Sequence, residues 1–164
     1  MPEVPAHDMD DDAIARIEAA LIALLRRTND PRGNQRINDR AGVDIERSGS
    51  VMLARIEEFE PVRLCDLADM GGIDTSTASR QVARLVDAGY VERRPDPDDG
   101  RATGHYLTES GQRIRGKLKR ARREWFEEVV AEFSPDERDQ FADLLVRFVD
   151  RMDAIREAQD AVGV

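Results

Sequence analysis

The hydrophobic positions of this chain recur mostly every three or four residues, which is the spacing that predicts amphipathic helices. On this pattern we predict helices over residues 10–27, 45–59, 63–69, 75–88, 109–133 and 136–157. The segment from 28 to 44 is polar and contains Pro31, Gly33 and Gly42, so we expect a long connection that can hold a short turn of helix. Residues 1–9 are expected to form a loose tail.

The helical spacing is interrupted after residue 88. Gly89 occupies a helix-stop position, and strands are predicted at 90–94 and 102–107 around a turn rich in Pro, Asp and Gly at 95–100. Gly104 interrupts the second strand and predicts that it is weakened or bulged. The predicted fold class is therefore mainly α with a small β-wing: a winged helix-turn-helix domain with additional helices at both ends.

The last helix has the clearest local start signal. Ser134, Pro135 and Glu137 form a capping box with a proline at the first helical position. Behind it runs an apolar stripe of Phe141, Leu144, Leu145, Phe148, Val149, Met152 and Ile155. This stripe and the one on the first helix exceed what a small winged helix needs, so they predict dimerisation. Packing within one subunit is the alternative.

The net charge of −9 argues at first against a nucleic-acid partner, but the charge is distributed unevenly. Residues 1–74 carry −7, residues 75–123 carry +6, and residues 124–164 carry −8. Because salt screens exposed charges beyond about 8–10 Å, attraction to phosphate depends on the local charge. The basic middle segment is therefore compatible with DNA binding, and the acidic flanks are expected to suppress non-specific binding.

The helix predicted over 75–88 divides into an apolar and a polar face. Its apolar residues recur at helical spacing and face the core: Ala78, Val82, Leu85 and Val86. The polar residues that could contact DNA are Ser76, Thr77, Ser79, Arg80, Gln81 and Arg84. Arg can form two hydrogen bonds to guanine and Gln to adenine, and hydroxyls near the helix N-terminus can hold a phosphate. Any surface helix presents polar groups outward, however, so the helix alone does not establish DNA binding.

The hairpin that follows favours DNA binding, because a helix-turn-helix with a β-hairpin behind it is a winged helix. In the turn, Asp98 or Asp99 can pair with Arg101 and fix its direction, and a narrow minor groove attracts such an arginine. The strands add basic side chains that could contact phosphates: Arg93, Arg94 and His105. A solvated hairpin tip is the alternative, since Asp and Gly favour turns in any case.

The run from residue 77 to 111 resembles the core of the MarR family of bacterial transcription regulators. In that family a recognition helix leads to a wing motif of the form Asp-Pro-x-Asp-x-Arg, followed by Leu-Thr-x-x-Gly. The matching residues are Asp96, Pro97, Asp99, Arg101, Leu107, Thr108 and Gly111. Leu64, Leu67 and Ala68 match the helix before the turn, and the similarity is sharpest over 62–111.

The resemblance implies a homodimer in which each recognition helix enters one half of an inverted-repeat operator in double-stranded DNA. Arg101 would be the wing arginine that reaches the minor groove, oriented by Asp99. Gly100 departs from the family pattern, where a second basic residue is common, and this puts the rigidity of the wing in doubt. The implied organisation is a tail over 1–9, helical dimerisation regions over 10–30 and 109–160, and a winged helix-turn-helix domain over 45–108.

The resemblance also implies a small-molecule effector. Members of the family often release DNA when a small compound, frequently aromatic or phenolic, binds between the dimer helices and the wing domain. The residues that could line such a cavity here are Arg16, Met52, Arg55 and Trp125. Each also has a simpler interpretation as a surface charge, a core methionine or a buried anchor.

Enzymatic and metal-binding functions find little support in the sequence. Cys65 is the lone cysteine, and His7 and His105 are the two histidines, so no nucleophile–base pair or metal set is expected. No cofactor is expected. A structural role is favoured for Cys65 over a redox-sensing one.

The leading hypothesis is a non-catalytic DNA-binding regulator, acting as a repressor that an effector releases. The alternatives are a winged-helix protein-interaction module without DNA binding and a redox-sensing regulator that uses Cys65. No apolar run is long enough to span a bilayer and no signal segment opens the chain, so a cytoplasmic location is expected.

Overall fold

A computed structural model describes residues 6–28, 31–97 and 99–162. Its elements in chain order are helices α1 (Ala6–Thr28), α2 (Pro31–Ala41), α3 (Arg47–Phe59), α4 (Leu64–Gly71) and α5 (Thr75–Asp87), strands β1 (Val91–Pro95) and β2 (Thr103–Leu107), and helices α6 (Glu109–Val129) and α7 (Pro135–Val162). The chain divides into two compact units, Met1–Arg122 and Arg123–Val164. The predicted fold class, mainly α with a small β-wing, is confirmed.

Helix α2 is the largest departure from the predicted elements, because it fills most of the segment expected to be a connection. Its polar sequence has low helix propensity, but Ile37 and Ala41 pack against the core. The buried Asn38 also donates a hydrogen bond from Nδ2 to the carbonyl oxygen of Ile45, at 2.6 Å. Packing on the core and the Asn38–Ile45 hydrogen bond therefore stabilise a helix that its polar sequence does not predict.

Helix α1 begins earlier than expected. Its first residue is Ala6, so the part of the predicted tail from Ala6 onward is helical. Residues 1–5 of that tail lie outside the described part of the chain.

The core of the first unit forms where α3, α4 and α5 pack together and against the wing. In the apolar face predicted for α5, Ala78, Val82 and Leu85 are buried and Val86 is partly buried. The largest fully buried apolar side chains are Met52, Leu53, Ile56, Leu67, Val82, Val91 and Leu118. Two glycines in the left-handed region end the central helices, Gly72 with φ 56° after α4 and Gly89 with φ 71° after α5.

The wing is a regular antiparallel pair in which Val91 lies opposite Leu107 and Arg94 opposite Gly104. The prediction of a bulge at Gly104 is therefore wrong. A Cβ atom at this position would lie 3.2 Å from the Cβ of Pro61, so the glycine instead allows the chain before α4 to pack closely on β2.

The corner between β2 and α6 is built on Thr108. Its hydroxyl donates to the carbonyl oxygen of Gly89 at 2.7 Å and accepts the backbone N–H of Gly111 at 3.0 Å. Its own backbone N–H donates to the carbonyl oxygen of Tyr90, also at 3.0 Å. One residue thus begins α6 and binds it to the turn that ends α5.

The second unit contains the predicted capping box. Ser134 N–H donates to the carboxylate of Glu137 at 2.8 Å, and Glu137 N–H donates to the Ser134 hydroxyl at 3.3 Å. The hydrogen bonds from Ser134 lower the pKa of Glu137. Behind this cap, all the residues of the predicted apolar stripe are exposed: Phe141, Leu144, Leu145, Phe148, Val149, Met152 and Ile155.

Candidate nucleic-acid interface

Helix α5 begins after Asp74, whose side chain caps the N-terminus of the helix. The Asp74 carboxylate accepts the backbone N–H of Thr77 at 2.8 Å, the Thr77 hydroxyl at 2.7 Å and the Ser76 hydroxyl. Hydrogen bonds from Ser76 and Thr77 hold the pKa of Asp74 well below its usual range. The two hydroxyls expected to meet a phosphate therefore donate their protons within the chain, and they can serve a ligand only as acceptors.

The outer face of α5 presents two guanidinium groups. Arg80 and Arg84 are both exposed, whereas Ser79 and Gln81 are partly buried. Arg80 donates from Nη2 to the Thr77 hydroxyl oxygen at 3.0 Å. A helix with a buried apolar face and projecting arginines has the form needed to enter a major groove.

Arg84 has a partner from outside its own helix. Its Nη1 lies 2.8 Å from Oε2 of Glu46, the N-cap residue of α3, and both side chains are more than two-thirds exposed. The sequence interpretation missed Glu46. No local pattern could have revealed it, because the two residues are 38 positions apart.

The wing is fixed to the helix-turn-helix by a buried carboxylate. Asp96 is only 8% exposed at its side chain, and its Oδ2 accepts a hydrogen bond from Nε of Arg63 at 2.8 Å. Arg63 is the N-cap residue of α4, and Asp96 raises its pKa. The wing motif contains Asp96 but predicts no role for it, and no sequence pattern indicates Arg63 as its partner. Their contact joins the tip end of β1 to the first helix of the motif.

The wing tip, between β1 and β2, differs from the expected Asp99–Arg101 pair. Asp99 accepts the backbone N–H of Arg101 at 3.1 Å, and its other carboxylate oxygen lies 3.7 Å from Nη2 of Arg63. Asp99 therefore fixes the backbone of the tip rather than the guanidinium group, which corrects the orienting role expected for it. Arg101 is exposed. Asp98, the other expected partner, lies outside the described residues.

His105 departs from the expectation of an accessible phosphate contact. It is 4% exposed, and its Nδ1 lies 3.1 Å from the carbonyl oxygen of Val62. Burial lowers the pKa of His105, the Val62 carbonyl opposes this shift, and the nearby Arg93 charge adds to it. The side chain is therefore a neutral core residue that donates to Val62 and joins β2 to the chain before α4.

His105 should make folding stability depend on pH. Its folded pKa is depressed, so its contribution is complete above the unfolded value of about 6.5 and is lost as pH falls, because the unfolded chain binds the proton first. We expect the free energy of unfolding in urea to decrease from pH 7 to pH 5. In His105→Asn, which retains a donor but does not titrate, this part of the decrease should disappear. An unchanged pH profile in the variant would contradict a neutral buried histidine.

The remaining predicted wing residues are on β1. Arg93 and Arg94 are both exposed. Arg94 pairs with Glu92, and its guanidinium carbon lies 5.1 Å from the centre of the Tyr106 ring. Both arginines are therefore accessible to a phosphate backbone.

The four residues named for an effector cavity occupy different environments. Arg16 is exposed on α1 and pairs with Asp12, whereas Met52 is fully buried in the core of the first unit. Arg55 is partly buried on α3. In the second unit, Trp125 is partly exposed and packs edge-on against Phe126 with ring centres 4.8 Å apart. Because Met52 is buried, an effector could contact it only if the core residues around it moved.

The groups considered for metal binding and redox sensing lie as follows. Among them, no group of three or more His, Cys, Asp or Glu side chains is arranged to hold a metal ion. Cys65 is exposed, with Sγ 3.4 Å from a carboxylate oxygen of Asp66. None of the helices described is both long enough and apolar enough to cross a membrane.

Comparison with known proteins extends the resemblance beyond single motifs. The sequence profile of the MarR family matches residues 46–103. The HTH-type transcriptional regulator YxaD of Bacillus subtilis is 35% identical over 104 residues, which cover 63% of this chain and 73% of that protein. The regulator MT0903.1 of Mycobacterium tuberculosis is 40% identical over 75 residues, or 44% of this chain and 52% of the relative.

Solved structures agree at the level of the fold. A MarR family protein from Bacillus stearothermophilus matches with a TM-score of 0.76 at 22% identity, covering 87% of this chain and 96% of that one. The crystal structure of MarR matches with a TM-score of 0.67 at 21% identity, covering 95% and 96% of the two chains. Taken with the B. subtilis relative and the winged helix described above, these matches place the chain in the MarR family of helix-turn-helix transcriptional regulators, which are DNA-binding proteins and not enzymes.

Proposed function

We propose that this regulator is a homodimeric repressor that binds an inverted-repeat operator and leaves it when a small molecule binds. In this proposal α5 enters the major groove with Arg80 and Arg84, and the wing places Arg101 in the neighbouring minor groove. Arg93 and Arg94 supply phosphate contacts along the wing. His105 is not among the contacts, because it is buried.

The observation that carries the DNA contact is the anchored wing. The Arg63–Asp96 ion pair attaches the wing to the helix-turn-helix, and the exposed Arg101 follows at the tip. The local charge supports this, since residues 75–123 carry +6 within an acidic chain. A module that binds only protein has no need to project arginines from both the helix and the wing.

Replacing Arg101 tests this part of the proposal. We expect Arg101→Ala to weaken binding to a DNA fragment that the wild type selects from a random pool by about 1–3 kcal/mol. The wild-type affinity should also fall steeply with salt, because each phosphate contact releases counterions. Fluorescence anisotropy at several salt concentrations measures both effects.

The control is Arg113→Ala on α6, which removes an exposed arginine that pairs only with its helix neighbour Glu109 among the contacts described. It should change the affinity by less than about 0.5 kcal/mol. If the wild type binds no fragment better than a scrambled one, the chain is not a sequence-specific regulator of this kind, and the protein-interaction module becomes the better description.

The homodimer rests on exposed apolar surface. Within the first unit Ile14, Ile17 and Leu24 on α1 are 63%, 48% and 49% exposed, and the second unit exposes the whole apolar stripe of α7. Monomeric soluble proteins rarely expose contiguous apolar surface on this scale. Half-sites one helical turn apart also require two copies of the recognition helix related by a two-fold axis.

A charge placed in the α7 stripe should dissociate the dimer. We expect sedimentation at micromolar concentration to give twice the mass of one chain for the wild type and one chain mass for Met152→Asp. Ala154→Asp adds the same charge two residues away, about 200° around the helix, and should remain dimeric. A wild type that sediments as a single chain, or equal behaviour of the two variants, would exclude this interface.

Effector release is the third part of the proposal. A ligand releases the operator if it binds better to a form of the dimer in which the spacing of the two recognition helices no longer matches the half-sites. Small aromatic acids and phenols are the first compounds to add in the anisotropy assay. A compound acting in this way lowers operator affinity while raising the melting temperature of the free protein.

A further inference from the structure

We propose that Glu46 is a positioning residue for sequence recognition, holding the guanidinium group of Arg84 in the orientation in which it meets a base edge. The inference rests on the proposed contact between Arg84 and DNA. It assigns a role to a residue that lies outside both the recognition helix and the wing.

The Glu46–Arg84 ion pair connects two elements. Nη1 of Arg84 on α5 lies 2.8 Å from Oε2 of Glu46, which precedes α3. Because both side chains are largely exposed, the pair contributes little to folding stability. Its main physical effect is to restrict a long, flexible arginine side chain to fewer rotamers.

The backbone that carries the Glu46 side chain is held by hydrogen bonds. The carbonyl oxygen of the preceding Ile45 accepts hydrogen bonds from Asn38 at 2.6 Å and from Asn34 at 3.4 Å. The backbone carbonyl of Glu46 accepts the N–H of Ser50 at 2.9 Å, which begins α3. The carboxylate therefore extends from a backbone that is held on both sides.

The geometry leaves the recognition edge of Arg84 available. Glu46 accepts from Nη1, so Nε and Nη2 together form a two-donor edge of the kind that matches O6 and N7 of guanine. An arginine already held in one orientation loses less rotamer freedom when it binds, which favours the fragment whose base lies in that position. Glu46 would thus increase discrimination between sequences rather than affinity for DNA in general.

The other recognition arginine is held in a similar way. The Asp74 carboxylate accepts from the Thr77 hydroxyl, whose oxygen in turn accepts from Nη2 of Arg80 at 3.0 Å. Each arginine on the outer face of α5 is therefore connected to an acidic N-cap residue. Glu46 differs from Asp74 in that it does not cap α5, so it can be replaced without removing the helix start.

The test compares Glu46→Ala, Glu46→Gln and Arg84→Ala in anisotropy titrations against the selected fragment and a scrambled one. We expect Glu46→Ala to lower the preference for the selected fragment about three- to ten-fold, the range for ordering one long side chain. Glu46→Gln, which keeps an acceptor, should retain part of the preference. In the Arg84→Ala background, Glu46→Ala should have no further effect.

The control is Glu127→Ala, which removes an exposed carboxylate paired with Arg123 on α6 and should leave the preference unchanged. Tighter binding of both fragments by Glu46→Ala would mean that Glu46 competes with DNA for Arg84, and would overturn the inference. The inference would also be overturned if Glu46→Ala lowered the preference for the selected fragment equally in the wild type and in the Arg84→Ala variant. If Arg101→Ala lowers the preference for the selected fragment and Glu46→Ala does not, the role of Glu46 is excluded while the proposed function stands. A wild type with no preference overturns the proposed function as well.

Discussion

Glu57→Ala is expected to lower the free energy of unfolding by about 3–5 kcal/mol, because it leaves a buried arginine without its counter-charge. The side chain of Arg115 on α6 is 5% exposed, and its Nε and Nη2 lie 3.1 and 2.9 Å from Oε2 of Glu57 on α3. Nζ of Lys119 lies 2.9 Å from the same Glu57 oxygen. Urea unfolding at neutral pH measures the change.

Two features make the carboxylate difficult to replace. Nη1 of Arg115 is buried without a hydrogen-bond partner among the described residues, so the guanidinium has little other compensation. Burial opposes ionisation of Glu57, but hydrogen bonds from Lys119 and Arg115 outweigh it and lower its pKa. The pair should therefore persist at neutral pH and weaken only as Glu57 is protonated in acid.

The exposed neighbour Glu58 provides the control for Glu57. Glu58→Ala removes the same charge one residue along α3 and should change stability by less than about 0.5 kcal/mol. Replacing both partners, with Glu57→Leu and Arg115→Met, should recover most of the loss. A loss below about 1 kcal/mol in Glu57→Ala would show that water reaches the guanidinium.

Gly111→Ala should cost about 3 kcal/mol, at the upper end for overpacking, although alanine is normally the better helix residue. A Cβ at Gly111 would overlap the carbonyl oxygen of Tyr90. That oxygen cannot readily move, since it accepts the N–H of Thr108, while Gly111 N–H is bound to the Thr108 hydroxyl. Differential scanning calorimetry should show a much lower melting temperature.

Gly116 on the same helix provides a matched comparison. It is exposed, and a Cβ there would meet nothing within 4 Å. Gly116→Ala should therefore raise stability by about 0.4–1 kcal/mol, the usual gain for glycine to alanine in a helix. If both variants behave alike, the close approach at Gly111 is not what requires glycine.

The parts of the fold that the sequence predicted are those with short-range signals. Gly89 after α5 and the capping box of Ser134 and Glu137 each act within one helical turn. Helical spacing likewise identified the buried face of α5, because burial repeats along a single element. Helix α2 also begins at a proline and ends before a left-handed glycine, Gly42 with φ 60°. Its polar sequence carries only a short apolar pattern, so the same Pro and Gly equally predict a connection.

The site was predicted less completely, because its supporting contacts span long stretches of chain. Arg63 and Asp96 are 33 residues apart. The position of His105 was misjudged for a related reason: it faces Val62, 43 residues earlier, and a period-two pattern does not reveal what covers each face of a short strand. The exposed arginines were easier to identify, because charge and helical position are local properties.

The closed wing tip has a consequence for proteolysis. A protease must fit several residues of extended chain into its active site, so cleavage requires local unfolding of the bond it attacks. The backbone N–H groups of Asp96, Asp99, Arg101 and Ala102 are all hydrogen-bonded within the tip. The bond after Arg101 therefore lies in an exposed loop that trypsin can reach but can cleave only when these hydrogen bonds open. Digestion at this site would report how often the wing tip opens.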